Sequence, residues 1–144
     1  MAKWSVTKRI EFDAAHRLSD YDGKCANLHG HRYAVEFTYS STELDDIGFV
    51  IDFGYIKRTV GEWLDSEWDH KSILKEGSFG IMGQDFIVVD EVALMKQNPT
   101  AENMAAHLYG IAYQYLVDAE LTGRVELDKV RVYETPTSWA EFSR

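Results

Sequence analysis

From Trp4 to Phe12 the apolar residues Trp4, Val6, Ile10 and Phe12 fall on alternate positions, interrupted by Lys8, which predicts a strand with one buried face. A second alternating run puts Tyr33, Val35, Phe37 and Tyr39 on one face and Arg32, Glu36 and Thr38 on the other. The two runs read as neighbouring antiparallel strands. The connection between them, AAHRLSDYDGKCANLHGH, is polar, contains Gly23 and Gly30, and holds three histidines and the only cysteine. Asp52 is placed to cap a helix with the stripe Phe53, Ile56, Val60, Trp63 and Leu64, whose last turn leads into Glu67-Trp68-Asp69-His70. Thr100 caps a second helix, with Met104, Leu108, Ile111 and Tyr115 as one stripe, widened by Ala105, Ala112, Leu116 and Ala119. Between the helices, residues 71–98 are irregular: Gly77, Gly80 and Gly83 interrupt the chain, a short strand is expected at Phe86–Asp90, and Asn98-Pro99 marks a stop. The last strands are expected at Leu127–Glu134 and Ser138–Phe142, joined through Thr135-Pro136-Thr137. The order strand, strand, helix, short strand, helix, strand, strand predicts helices on one face of an antiparallel sheet, an α+β arrangement.

The 144 residues fit a single domain, 1–144. The 15 Lys and Arg residues are scattered among 24 Asp and Glu, for a formal charge of −9, so no basic stripe follows a nucleic-acid backbone and nucleic acid is excluded as a partner. No apolar stretch approaches the roughly 20 residues of a membrane span, and the N-terminus has no apolar signal-like segment. A soluble, cytoplasmic protein is therefore expected, and the lone Cys25 fits a reducing compartment while leaving its thiol open to chemical use.

His29 and His31 are separated by one residue, so on a strand both imidazoles point to the same side, roughly 6 to 7 Å apart at their α-carbons. Zinc needs a third protein ligand to leave one catalytic position open, and His16, just beyond the first strand, is the candidate. Histidines that simply suit a polar turn are the plainer alternative. A cupin-like His29, His31, Glu36 set has the spacing of another metal site, but Glu36 has the opposite strand parity. Cys25, beside Lys24 and a nearby dication, would be biased toward thiolate, as a fourth zinc ligand or as a general base. Asp69-His70 is a candidate proton relay at a helix end. Glu134 shares parity with Val130 and Val132, so a carboxylate is carried onto an apolar face, where a ligand presenting two N–H donors could satisfy it. A glutamate bending into water at a strand end is the alternative.

Phe12-Asp-Ala-Ala-His16-Arg-Leu, Cys25-Ala-Asn-Leu-His29-Gly-His31-Arg-Tyr, Asp52-Phe, Asp69-His70-Lys, Pro99-Thr-Ala-Glu-Asn103 and Val132-Tyr-Glu134 cover nearly the whole chain. In this order the set resembles the 6-pyruvoyl-tetrahydropterin synthase and 6-carboxytetrahydropterin synthase family. The Cys-x3-His-Gly-His spacing is similar to the bacterial carboxytetrahydropterin synthases of queuosine biosynthesis rather than to the biopterin enzymes, whose gap is usually longer. The resemblance implies a tunnelling fold: a four-stranded antiparallel sheet with two helices on one face, in subunits that assemble into barrels and stack as hexamers, dimers of trimers with intersubunit active sites. It implies zinc on His16, His29 and His31, Cys25 as acid/base, Asp69 and His70 as the second proton-transfer unit, and Glu134 as the anchor of the pterin's 2-amino-4-oxo edge.

The implied reaction converts 7,8-dihydroneopterin triphosphate to 6-carboxy-5,6,7,8-tetrahydropterin, acetaldehyde and triphosphate, with no external redox cofactor. Lys24, Arg17 and Lys71 are candidates for the triphosphate by proximity. A synthase keeping the side chain as a pyruvoyl group is the nearest alternative, and a non-catalytic pterin- or metal-binding relative is the other. Such a relative has no need for both Cys25 and the Asp69-His70 pair. The chain departs from the family in the length of 71–98, expected to vary, and in Trp68, which stands where leucine is common.

Overall fold

The computed structural model describes residues 2–78 and 91–144. β1 (Trp4–His16) and β2 (His29–Ser41) pair antiparallel along their whole length, from Trp4 opposite Ser41 to His16 opposite His29. Both strands run further than their alternating apolar runs, because Ala14 and His16 keep the buried parity of Phe12, and His29 and His31 keep that of Tyr33. The connecting loop is thus only residues 17–28, and the histidines end the strands that flank it.

β5 (Glu126–Thr135) lies on the other side of β2 with Val35 opposite Val132 and Ala34 opposite Tyr133, and β6 (Ser138–Phe142) closes the antiparallel part. Two short strands, β3 (Lys71–Lys75) and β4 (Val92–Met95), extend the sheet in parallel pairing, giving the order β4-β3-β1-β2-β5-β6. The four expected antiparallel strands are thus accompanied by two more. Lys-Ser-Ile-Leu-Lys shows little alternation, and β3 forms because it docks on the end of β1, Ala14 beside Lys71 and His16 beside Ile73. The strand expected at Phe86–Asp90 lies outside the described residues.

Asp52 caps the first helix by accepting from the Gly54 N–H at 2.8 Å. The helix runs as α1 (Phe53–Ile56), a π-helical turn (Lys57–Gly61) and α2 (Glu62–Glu67). Ile56, Val60 and Leu64 are fully buried, but Phe53, expected in the same stripe, is 51% exposed. It sits in the first turn, before the helix closes on the sheet. Gly61 fits where the helix meets β1, since a Cβ there would stand 3.1 Å from the Ile10 side chain.

Thr100 caps α3 (Ala101–Asp118), whose buried face holds Met104, Ala105, Leu108, Ala112 and Leu116. Ala119, read as part of that face, is exposed past the helix end. Both helices cover the sheet face carrying Tyr33, Val35, Phe37, Val130 and Val132, and this is the core. No helix among the described residues is long and apolar enough to cross a membrane.

Candidate metal centre and its surroundings

The β1–β2 register decides the site. It puts His16 directly opposite His29 and Ala14 opposite His31, so three imidazoles crowd one end of the inner sheet face. Their candidate ligating nitrogens all lie within 4.8 Å of one another. Backbone carbonyls select the tautomers. His16 Nδ1 donates to the Pro99 carbonyl at 2.7 Å and His29 Nδ1 donates to the Asn27 carbonyl at 2.7 Å. A carbonyl only accepts, so each Nδ1 carries the proton and each Nε2 is left as a lone pair. Those two Nε2 atoms face each other at 3.1 Å. Two acceptors at that separation repel unless a cation lies between them, and zinc–nitrogen bonds of about 2.0–2.1 Å in a tetrahedron space ligands by about 3.3 Å.

The third nitrogen, His31 Nε2, is buried without a hydrogen-bond partner among the described residues and lies 3.5 Å from Glu134 Oε1. Burial lowers the pKa of His16 and of His31, against the opposing pull of the Pro99 carbonyl on His16 and of Glu134 on both. Both rings are therefore held neutral, the form that ligates. An orphaned nitrogen, two locked lone pairs and an all-imidazole donor set fit a zinc ion.

The backbone behind His16 is braced. Asn98 accepts from the Ser19 N–H at 2.8 Å and donates to the Ser19 carbonyl at 2.9 Å, while Asn103 donates to the Asn98 carbonyl at 2.9 Å. These bonds tie the loop after β1 to the start of α3 and hold the Pro99 carbonyl that orients His16, an outer-shell role common around metal ligands.

Cys25 lies half-buried in a 3-10 turn (Lys24–Ala26), and its carbonyl accepts from the Leu18 N–H at 2.8 Å. Its sulfur is not a member of the histidine group, so the triad stands without it. Asp69 and His70 form a second cluster with Asp13, separate from the triad. Asp69 accepts from the Asp13 N–H at 3.0 Å and pairs with His70 Nδ1 at 3.0 Å. Although burial alone would raise it, the Asp69 pKa is lowered by the Asp13 N–H and by His70. His70 adopts a positive φ of 60° and its side chain is 76% exposed. Asp13 alternates with Ala14 and His16 along β1, so this cluster gathers on the other side of the strand. Within one chain the two groups are separate clusters.

Glu134 stands at the triad, and Glu36 does not. Glu36 pairs with Arg9 at 3.2 Å and accepts from the Tyr133 hydroxyl, which removes the cupin-like reading. Of the triphosphate candidates, Arg17 donates to the Ser78 carbonyl and Lys71 pairs with Glu91 at 3.0 Å. Alternation puts Tyr33 on the face of Val35 and Phe37, yet its ring meets those of His16 and His31 and its hydroxyl is buried with no partner among the described residues. Alternation shows which side of a strand a tyrosine faces and is silent on what its hydroxyl meets.

The sequence matches the family profile described as 6-pyruvoyl tetrahydropterin synthase over residues 5–144. The chain belongs to this family. It is 39% identical over 137 residues to the 6-carboxy-5,6,7,8-tetrahydropterin synthase of Rickettsia bellii, covering 94% of this chain and 96% of that one. Among solved structures, an uncharacterized protein from Wolinella succinogenes superposes with a TM-score of 0.80 at 20% identity, covering 99% of each chain. The 6-pyruvoyl tetrahydropterin synthase of Plasmodium falciparum does so with 0.78 at 21% identity, covering 100% of this chain and 99% of that one. These structural matches establish the tunnelling fold, and the family match makes the chain a relative of pterin-processing enzymes.

Proposed function

We propose that this member of the family is a zinc-dependent 6-carboxytetrahydropterin synthase, a lyase that converts 7,8-dihydroneopterin triphosphate to 6-carboxy-5,6,7,8-tetrahydropterin, acetaldehyde and triphosphate, as in queuosine biosynthesis. The observation that carries the proposal is the pair of carbonyl-locked imidazoles whose Nε2 lone pairs face each other at 3.1 Å. The Rickettsia bellii relative, similar over nearly its full length, bears the carboxytetrahydropterin name, and the Cys25-x3-His29 spacing favours the same branch. Location in the cytoplasm goes with this reading.

Bound at His16, His29 and His31, zinc would supply Lewis acidity toward the side-chain hydroxyls of the substrate. Cys25 is the proton carrier on the triad's own chain, on a turn tied back to Leu18. Asp69 holds the His70 imidazole by its Nδ1, so that Nε2 exchanges protons with substrate. Because His70 is exposed and clustered apart from the triad, the proposed relay serves the triad of another copy. Glu134 accepts hydrogen bonds from the substrate at the edge of the metal.

Assembly of copies into barrels, and of barrels into a hexamer, is supported by two free strand edges. Trp4–Asp13 of β1 has no strand on its outer side among the described residues, and β6 ends the sheet on the other side. Unpaired edges of this length invite another strand.

The test is incubation of the zinc-loaded protein with dihydroneopterin triphosphate and identification of products by mass spectrometry. Acetaldehyde with a carboxylated pterin is expected. A pyruvoyl pterin would overturn the product assignment, and no turnover by a protein that binds zinc and pterin would overturn catalysis.

A further inference from the structure

His31 Nε2 and the Tyr33 hydroxyl are both buried at the triad, and neither has a hydrogen-bond partner among the described residues. Glu134 adjoins both. Its carboxylate lies 3.5 Å from His31 Nε2. The β2–β5 ladder ends with Ala34 opposite Tyr133, and Tyr33 and Glu134 are the residues just past that pair on the two strands, within reach of one another. Tyr33 is fully buried. Phe12 stacks on its ring at 5.2 Å, and the rings of His16 and His31 meet it edge-on at 5.8 and 5.4 Å. Glu134 and Cys25 lie close enough to act on its phenol, which at neutral pH is an O–H donor. A buried donor without an acceptor is costly and calls for an explanation.

We infer that Tyr33 is a positioning residue for Glu134: when an ion takes the His31 Nε2 lone pair, the Glu134 carboxylate accepts the Tyr33 O–H and is held by it facing the substrate. The inference rests on the proposed zinc site. An ion on His31 leaves that nitrogen nothing to offer Glu134, and the Tyr33 hydroxyl is the unpartnered donor beside it. Both orphaned atoms are then satisfied in one step, and the carboxylate gains a fixed direction. By linkage, a bond made only in the loaded protein must strengthen metal binding.

The test is a double-mutant cycle of Tyr33→Phe and Glu134→Ala, read as zinc affinity by competition with a chromophoric chelator, with melting of the metal-free proteins alongside. Metal-free Tyr33→Phe should melt at or above the wild type, since the change deletes an unsatisfied hydroxyl and keeps the ring. Its zinc affinity should fall roughly tenfold, the effect of one hydrogen bond to a charged acceptor, and the loss should vanish when Glu134 is already alanine. An equal loss in both backgrounds overturns the inference. So does coupling to Cys25→Ala instead, and so does a Tyr33→Phe protein that melts lower or fails to fold, since the hydroxyl is then structural. Zinc uptake and turnover by the wild type with an additive cycle would sink this inference alone, whereas a wild type that takes up no zinc would sink the proposed function with it.

Discussion

Replacing His29 by alanine tests the reasoning about the triad most directly. The His29 ring meets the His16 and His31 rings at 4.6 and 4.8 Å, and its Nδ1 bonds the Asn27 carbonyl nearby in the chain. Without metal, its Nε2 lone pair opposes that of His16 across 3.1 Å. Removing the ring therefore forfeits one hydrogen bond of about 1 kcal/mol and relieves a repulsion, so metal-free stability should change by less than about 1 kcal/mol. Zinc is another matter. Structural zinc sites bind with about 10–16 kcal/mol shared among four ligands, or about 2.5–4 kcal/mol for each, and on that scale losing one of three imidazoles should weaken zinc by about 100-fold or more. The assay is chelator competition for affinity and equilibrium unfolding of the chelated protein for stability. Zinc affinity within tenfold of the wild type would falsify the placement of the metal. A loss of several kcal/mol in the metal-free protein would show that the rings are held by their own packing rather than arranged for an ion.

The remaining predictions concern protons and assembly. In the metal-free protein the buried His16 and the half-buried His31 have pKa values lowered by burial. Their stabilising effect is present above the unfolded value of about 6.5 and is lost as pH falls from there through the folded values, at up to about 1.4 kcal/mol per pH unit for each proton; urea unfolding between pH 8 and 5 measures it, and His16→Gln should flatten the profile. Cys25→Ala should keep zinc, because the sulfur stands outside the triad, while turnover falls by at least about 100-fold; loss of zinc would make the sulfur a ligand. Cys25→Ala and His70→Ala, each inactive alone, should regain up to about one quarter of wild-type activity when coexpressed, because a site needs an intact triad side from one copy and an intact relay from another. A mixture that stays inactive would place both groups in one chain's site.

Strand parity made much of this molecule readable in advance, and it did so for the residues with chemistry as well as for the core. His29 and His31 continue the odd positions of Tyr33 and Val35, and His16 continues the even positions of Phe12 and Ala14, so one face was legible from alternation alone. The closeness of the nitrogens was not, because it depends on pairing His16 with His29, a register that sequence patterns on the two strands suggest only within a residue or two. β3 was invisible for a related reason: five residues with little alternation become a strand only because the end of β1 offers them an edge. The π-helical turn also follows from tertiary packing, where the helix carrying Ile56, Val60 and Leu64 must settle with Gly61 against Ile10. Asp69-His70 was recognisable as chemistry, and its separation from the triad was not, since Asp13, which gathers it, is a strand residue of unremarkable parity. That separation bears most on function. On the proposed function, the histidine triad and the exposed Asp69-His70 pair are two halves of one mechanism held in different clusters of a single chain, and the edges of β1 and β6, unpaired among the described residues, are the means by which copies of the fold could bring those halves together.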